Sequence, residues 1–361
     1  MKIKDKVGSL LKKNKDFSIF SILSILSILL SAIYPFLIAK FLSLEGFAIF
    51  STNKMFTRFY MIVLLAPSIQ PFILFAQKEL TKKGNMNKTF SLEVIIYLCN
   101  YILILAIFLI FKDLIKNYIG ISDAQHTLMI FFLLFLSIKE LFRMFLLSQE
   151  QRIQSALMEV INNLVLIIYI VIQVFSKDTH IDMTTVIGGY TISATVSSII
   201  GFLLLKKKTI SFDFKYNKKQ VQEFLRFTSW QTFGFIGVFL LAWGDNIVLK
   251  NYVSDEELGS YNFAYGIFAA AVSVGQMISR YFLTKILKIL DDNQKLDKYN
   301  KVYKPTLTAF YSIMTFIIIL IAPFLIHLVY GDKYDSSFSS LTVLLFTSIL
   351  EIGRASCRER V

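Results

Sequence analysis

Lys54 and Arg58 sit four residues apart inside an apolar stretch that begins near Phe47. On a helix that spacing puts both cations on one face. At 1.5 Å per residue they lie roughly 10 and 16 Å along the segment. A cation facing hydrocarbon at the centre of a bilayer costs about 2.5–3.5 kcal/mol, so both are expected to face the protein interior, where they could take up an anion. The competing reading has Lys54 snorkelling outward and Arg58 pairing structurally near Thr52, Asn53 or Thr57. Arg143 and Arg280, each near the end of an apolar segment, are candidate entrance residues for such an anion, or interfacial anchors. Asp245 is a candidate proton or cation site, or a residue that holds a hairpin and gate. Asn162, Asn163, Gln231 and Gln276 suit the hydroxyls of a polar ligand and equally suit hydrogen bonds between helices. Glu93 reads as an interfacial partner of Lys88 or Lys83, and His327 as interfacial.

Positioning these groups falls to a ladder of apolar segments starting near Phe17, Phe47, Thr89, Ala124, Ser155, Met183, Phe224, Leu258, Val302 and Phe338. Each runs about 20 residues, the length that spans a bilayer core of roughly 30 Å as a helix. Backbone amides in lipid must bond within their own segment, so helices are required. Lys and Arg concentrate in alternate intervals, among them Lys2 to Lys15, Lys78 to Lys88 and Lys206 to Arg226, while the opposite intervals hold few. Basic loops stay in the cytoplasm, which predicts an all-α, multi-pass bacterial inner-membrane protein with about ten spans and a cytoplasmic N-terminus. Pro35, Pro67 and Pro71 are expected to bend the first two spans. Gly188, Gly189, Gly201, Gly234, Gly237 and Gly244 are expected to let helices pack closely. Trp230 and Trp243 suit interfacial belts, and residues 221–227 suggest a short amphipathic surface helix.

Composition removes several functions. The net charge of +13 belongs to topology and to anionic lipid heads, so membrane lipids are partners and nucleic acid is not. The Lys-rich start and first apolar run lack a cleavage site, which makes them an uncleaved first span. Cys99 and Cys357 provide no disulfide framework, and His126, His180 and His327 lack metal-ligand spacing, so no metal or cofactor is expected. Short extramembrane stretches leave no room for a soluble catalytic domain, and the chain is not expected to be an enzyme. Glu351 to Val361 reads as the translation of a short-read sequencing adaptor, which would leave the last span truncated. The organisation expected is an N-terminal six-helix lobe over 1–208, a cytoplasmic linker over 209–223 and an incomplete C-terminal lobe over 224–350.

Two hairpin stretches share a pattern: Phe41 to Phe50 aligns with Tyr252 to Tyr261, pairing Ser43 with Ser254 and Glu45 with Glu256. Parallel six-helix repeats of this kind are a transporter architecture. Residues Asp245 to Gly259 with Tyr261, Ala264 and Tyr265, the segment Leu44 to Phe50, and Ala322 to Tyr334 ending in Gly-Asp-Lys-Tyr carry a resemblance. On these the chain resembles the Wzx-type O-antigen flippases of the multidrug/oligosaccharidyl-lipid/polysaccharide exporter superfamily. Ala48 stands where the family usually has Gly.

The resemblance implies a MATE-like two-lobe fold of twelve helices, of which about ten are present. It implies translocation of an undecaprenyl-diphosphate-linked oligosaccharide, an O-antigen or capsule repeat unit, by alternating access, with Lys54 and Arg58 lining the cavity. The polymerase and chain-length proteins of the same pathway would be partners. A MATE-like drug/cation antiporter is the rival within the superfamily, and the sign of the Lys54/Arg58 pair argues against a cationic cargo. An O-antigen polymerase is the rival among enzymes; it needs a large outside loop, and the outside loops here are short.

Overall fold

The computed structural model describes the backbone of residues 2–176, 181–205, 212–214, 218–287 and 304–358. Their side chains are described except at 2–17, 273–287, 304, 306–308, 310–311 and 348–358. Among the described residues the apolar ladder is helical. Helix α1 is Lys2–Phe41; α2 (Leu44–Phe59), a π-helical turn (Tyr60–Leu65) and α3 (Ala66–Lys83) run on without interruption. Then come α4 (Asn87–Ile110), the short α5 (Lys112–Ile119), α6 (Asp123–Ser148), α7 (Arg152–Ser176) and α8 (Met183–Leu204). The chain continues through α9 (Lys218–Leu249), α10 (Asp255–Leu287), α11 (Lys304–Tyr330), a 3-10 turn (Gly331–Tyr334) and α12 (Ser337–Arg358).

Among the described residues seven helices are long and apolar enough to cross a membrane: α1, the α2–α3 rod, α4, α7, α8, α9 and α11. With α6, α10 and α12 they account for the ten segments read from the sequence. Exposed Ile22, Leu98, Ile102, Ile168, Phe202, Leu241 and Phe324 show the lipid-facing surface such a ladder needs.

The chain forms two compact units. The first comprises residues 1–42 and 49–252, and the second 43–48 and 253–361. Helix α9, expected with the C-terminal lobe, is grouped with the first unit because it packs along α3 and the π turn. Phe59 meets Phe239 edge on at 5.3 Å, and Phe75 lies 5.5 Å from Phe224. Trp243, expected at an interface, is instead buried in an apolar cluster with Met55, Val63 and Phe239, while Trp230 is exposed. Residues 221–227 are the first turns of α9 and not a separate surface helix.

Small residues decide how closely the helices of the first unit approach. A Cβ on Gly201 would meet Met158 at 2.6 Å and Phe142 at 3.0 Å, and one on Gly189 would meet Tyr169 at 2.9 Å. Hence α8 can lie directly against α6 and α7. Gly234, Gly237 and Gly244 have open space around them among the described residues, so the close packing expected there is not seen.

In the second unit, parts of the three stretches that carried the resemblance converge: residues 44–48, 253–265 and 322–334. Ser43 caps α2, accepting from the Gly46 N–H at 3.0 Å, and Ser254 caps α10 in reciprocal bonds with Glu257 at 3.0 and 3.3 Å. A Cβ on Gly259 would stand 2.3 Å from the Leu44 carbonyl oxygen, so only glycine permits this approach. Phe263 stacks on Tyr334 at 3.9 Å, and Phe47 meets both rings edge on at 6.3 and 6.1 Å. The turn that presents Tyr334 begins at Gly331, whose φ of +62° is the left-handed conformation glycine adopts without strain.

Candidate functional site

Lys54 and Arg58 come from the first half of the α2–α3 rod. Lys54 is half-buried, and its Nζ lies 6.0 Å from the centre of the Tyr34 ring on α1. Tyr34 meets Tyr190 of α8 edge on at 5.7 Å, and Tyr190 in turn contacts Phe50 and Phe132 at 6.3 and 5.4 Å. The ammonium therefore lies beside the ring at one end of an aromatic cluster within the first unit. Arg58 is exposed one turn further on. Among the described residues, no carboxylate lies within ion-pair distance of either cation. Among the described residues, two positive charges on one helix face have no fixed counter-ion, an arrangement that can take up an anion.

Beyond Arg58 the rod changes pitch. The Ala66 N–H bonds back to the Met61 carbonyl, five residues earlier, and Pro67 and Pro71 then remove two N–H donors. Two side chains compensate: Asn100 Nδ2 donates to the Leu64 carbonyl at 2.6 Å, and Ser68 Oγ lies 3.0 Å from the Leu65 carbonyl. Beside this turn, a cavity of about 550 Å³ is lined by Val63, Leu64, Leu92, Cys99, Asn100 and Thr232, among others from the π turn, α4 and α9.

Arg143, a candidate entrance residue, is engaged elsewhere. On α6 it meets Glu140 at 2.7 Å, and its Nε lies 3.2 Å from Glu159 of α7. Lys139 lies 3.0 Å from Glu140 and 3.2 Å from Glu159. Two cations and two carboxylates thus balance, with Lys139 and Glu140 buried. The sequence signal for Glu159 is a carboxylate inside an apolar helix, four residues before Asn163. Glu93 differs from its expected role. Lys83 pairs with Glu79 and Lys88 with Asp213, while Glu93 is fully buried with one oxygen 2.7 Å from Ser68 Oγ.

The neutral amides divide similarly. Asn163 is buried and donates to the Ser27 carbonyl and hydroxyl at 3.1 and 3.2 Å, tying α7 to α1, and Asn162 leans on Asn163 at 3.4 Å. Gln231 donates to Gln70 at 2.6 Å, linking α9 to α3. Asp245 is exposed and accepts from the Asn246 N–H at 2.8 Å. The side chains of Gln276 and Arg280 lie outside the described residues. His327 sits beside Asp332 and Asp335 at 3.3 and 3.8 Å, all three exposed, so this histidine is less isolated than its place in the sequence suggests.

This succession of helices is a known fold. It covers 91% of this chain and 78% of an inward-facing multidrug resistance MATE family transporter of the MOP superfamily, with a TM-score of 0.63 at 15% identity. A proline-to-alanine mutant of a MATE protein gives 0.55 at 16% identity over 92% of this chain and 79% of that one. The Vibrio cholerae MATE transporter VcmN in its bent form gives 0.53 at 10% identity over 93% and 85%. With its apolar spans, the chain is a multi-pass membrane protein that shares the fold of these MATE proteins. No curated protein matches it in sequence. A family model described as polysaccharide biosynthesis protein matches residues 14–282, and the chain belongs to that family.

Proposed function

We propose that this protein is a flippase that carries a lipid-linked diphosphate oligosaccharide across the bacterial inner membrane, its N-terminus in the cytoplasm. The observation that carries this reading is the pair of cations on α2, Lys54 and Arg58, without a carboxylate partner among the described residues. A drug/cation carrier needs negative charge where its cargo binds; an anionic head needs the reverse. The diphosphate docks on Lys54 and Arg58, the sugar hydroxyls exchange water for protein polar groups, and the polyprenyl tail stays in lipid. Each hydroxyl moved into hydrocarbon unpaired would cost several kcal/mol, which is why a polar path is required. No bond is made or broken; alternate exposure of the site to the two faces moves the head across. Membership in a polysaccharide biosynthesis family and the exporter fold agree with this role.

The test is complementation of a flippase-null strain by the gene carrying Lys54→Ala with Arg58→Ala. Loss of surface polysaccharide at normal membrane abundance is expected. Full restoration by the double variant would remove the diphosphate clamp from the account.

A further inference from the structure

Glu93 lies about two turns into α4 and has no exposed surface. Its Oε1 stands 2.7 Å from Ser68 Oγ on α3, and its Oε2 has no hydrogen-bond partner. One turn further along α4, the buried Tyr97 hydroxyl also has no partner. Ser68 Oγ is simultaneously 3.0 Å from the Leu65 carbonyl, which can only accept. A hydroxyl has one proton to give. When that proton goes to Leu65, the 2.7 Å contact requires a proton on Glu93. When it goes to Glu93 instead, the carboxylate is left with one hydrogen bond and no cation, an expensive state away from water.

The groups around Glu93 are otherwise committed. From α3, Glu79 receives the Thr89 N–H and hydroxyl at 2.9 and 2.8 Å and pairs with Lys83. From the π turn, the Tyr60 hydroxyl bonds to the Ser137 hydroxyl. From α6, Lys139, Glu140 and Arg143 are matched among themselves and with Glu159 of α7. Lys88, at the start of α4, pairs with Asp213. Tyr97 stands within electrostatic reach of Glu93, Glu140 and Arg143.

We propose that Glu93 is a proton-binding site inside the first unit. With its proton in place, Glu93 satisfies Ser68, and Ser68 satisfies Leu65. On release, only the O–H bond breaks and the proton goes to water. The new carboxylate is then left with the Ser68 hydroxyl as its one hydrogen-bond donor among the described residues. The carboxyl thereby links a proton to the contact between α3 and α4. Its use in coupling proton movement to cargo rests on the flippase reading; the proton site itself does not.

Infrared difference spectroscopy on the full chain in lipid bilayers tests this without any cargo, so its outcome is separate from that of the complementation experiment. A protonated-carboxyl band at neutral pH is expected, shifted by D₂O, abolished in Glu93→Gln and lost from the wild type as the medium is made strongly alkaline. Ser68→Ala, which keeps Glu93 and removes its partner, should retain the band at a higher frequency. Superimposable wild-type and Glu93→Gln spectra would overturn the proposal. Should Glu93→Gln fail to fold, a band unmoved by Ser68→Ala would overturn it equally.

Discussion

Glu140→Gln removes one negative charge from a cluster that holds two of each sign. Glu140 is 3% exposed and receives Lys139 at 3.0 Å and Arg143 at 2.7 Å. After the change, Lys139 and Arg143 share only Glu159, whose side chain is 26% exposed and reaches both at 3.2 Å. Breaking a buried pair by removing one partner costs about 3–5 kcal/mol, because the charge left behind is uncompensated. That corresponds to a fall of roughly 10²- to 10⁴-fold in the folded-to-unfolded ratio. The assay is equilibrium unfolding of the purified protein in mixed micelles, followed by circular dichroism and tryptophan fluorescence. Adding Arg143→Met to Glu140→Gln restores neutrality with Lys139 and Glu159 alone, so the double variant should recover at least half of the loss. Additive losses in the two single variants, or a Glu140→Gln protein as stable as the wild type, would refute the reasoning.

Gly259→Ala forces a Cβ to within 2.3 Å of the Leu44 carbonyl oxygen, and overpacking of this kind costs about 1–3 kcal/mol. The thermal midpoint of the purified variant should fall, and an unchanged midpoint would place the two segments further apart. Asn100→Ala leaves the Leu64 carbonyl without its 2.6 Å side-chain donor, a loss of about 1–3 kcal/mol that unfolding measurements should detect. At the head of α6, hydrogen bonds from Lys112 and then Lys116 hold the Asp123 carboxyl below its ordinary 3.8, at about 2. The folded form prefers the ionised group, so the tether between α5 and α6 is complete above pH 3.8 and is lost as pH falls through about 2. Carboxyl NMR should show this titration move upward in Lys112→Gln, and an unmoved titration would contradict the pairing.

The long helices were legible because each apolar run is as long as a bilayer is thick, a constraint read residue by residue. Ser43 and Ser254 were legible as a repeated pair, and capping explains why serine stands at both positions. The spacing of Lys54 and Arg58 put them on one face, but their surroundings required Tyr34 and Tyr190 to arrive from other helices. The π turn was hidden for the same reason: Pro67 announces a break, whereas Asn100, 36 positions from Leu64, makes that break tolerable. Glu93 looked interfacial because Lys83 and Lys88 are near it in sequence. Burial against Ser68 depends on how α3 and α4 pack, which nearby sequence does not encode. Trp243 and the grouping of α9 follow from the same kind of tertiary choice, in which aromatic packing on α2 and the π turn outweighs interfacial preference.

The central claim is that Lys54 and Arg58 bind an anionic diphosphate head. Native mass spectrometry of the purified protein with undecaprenyl diphosphate, comparing wild type with Lys54→Gln/Arg58→Gln, tests it most directly. Each charge-assisted hydrogen bond is worth about 1.5–3 kcal/mol, so the double variant should bind roughly 100-fold more weakly or worse while retaining its affinity for a neutral polyprenol. Equal affinity of both proteins for the diphosphate lipid would contradict the account.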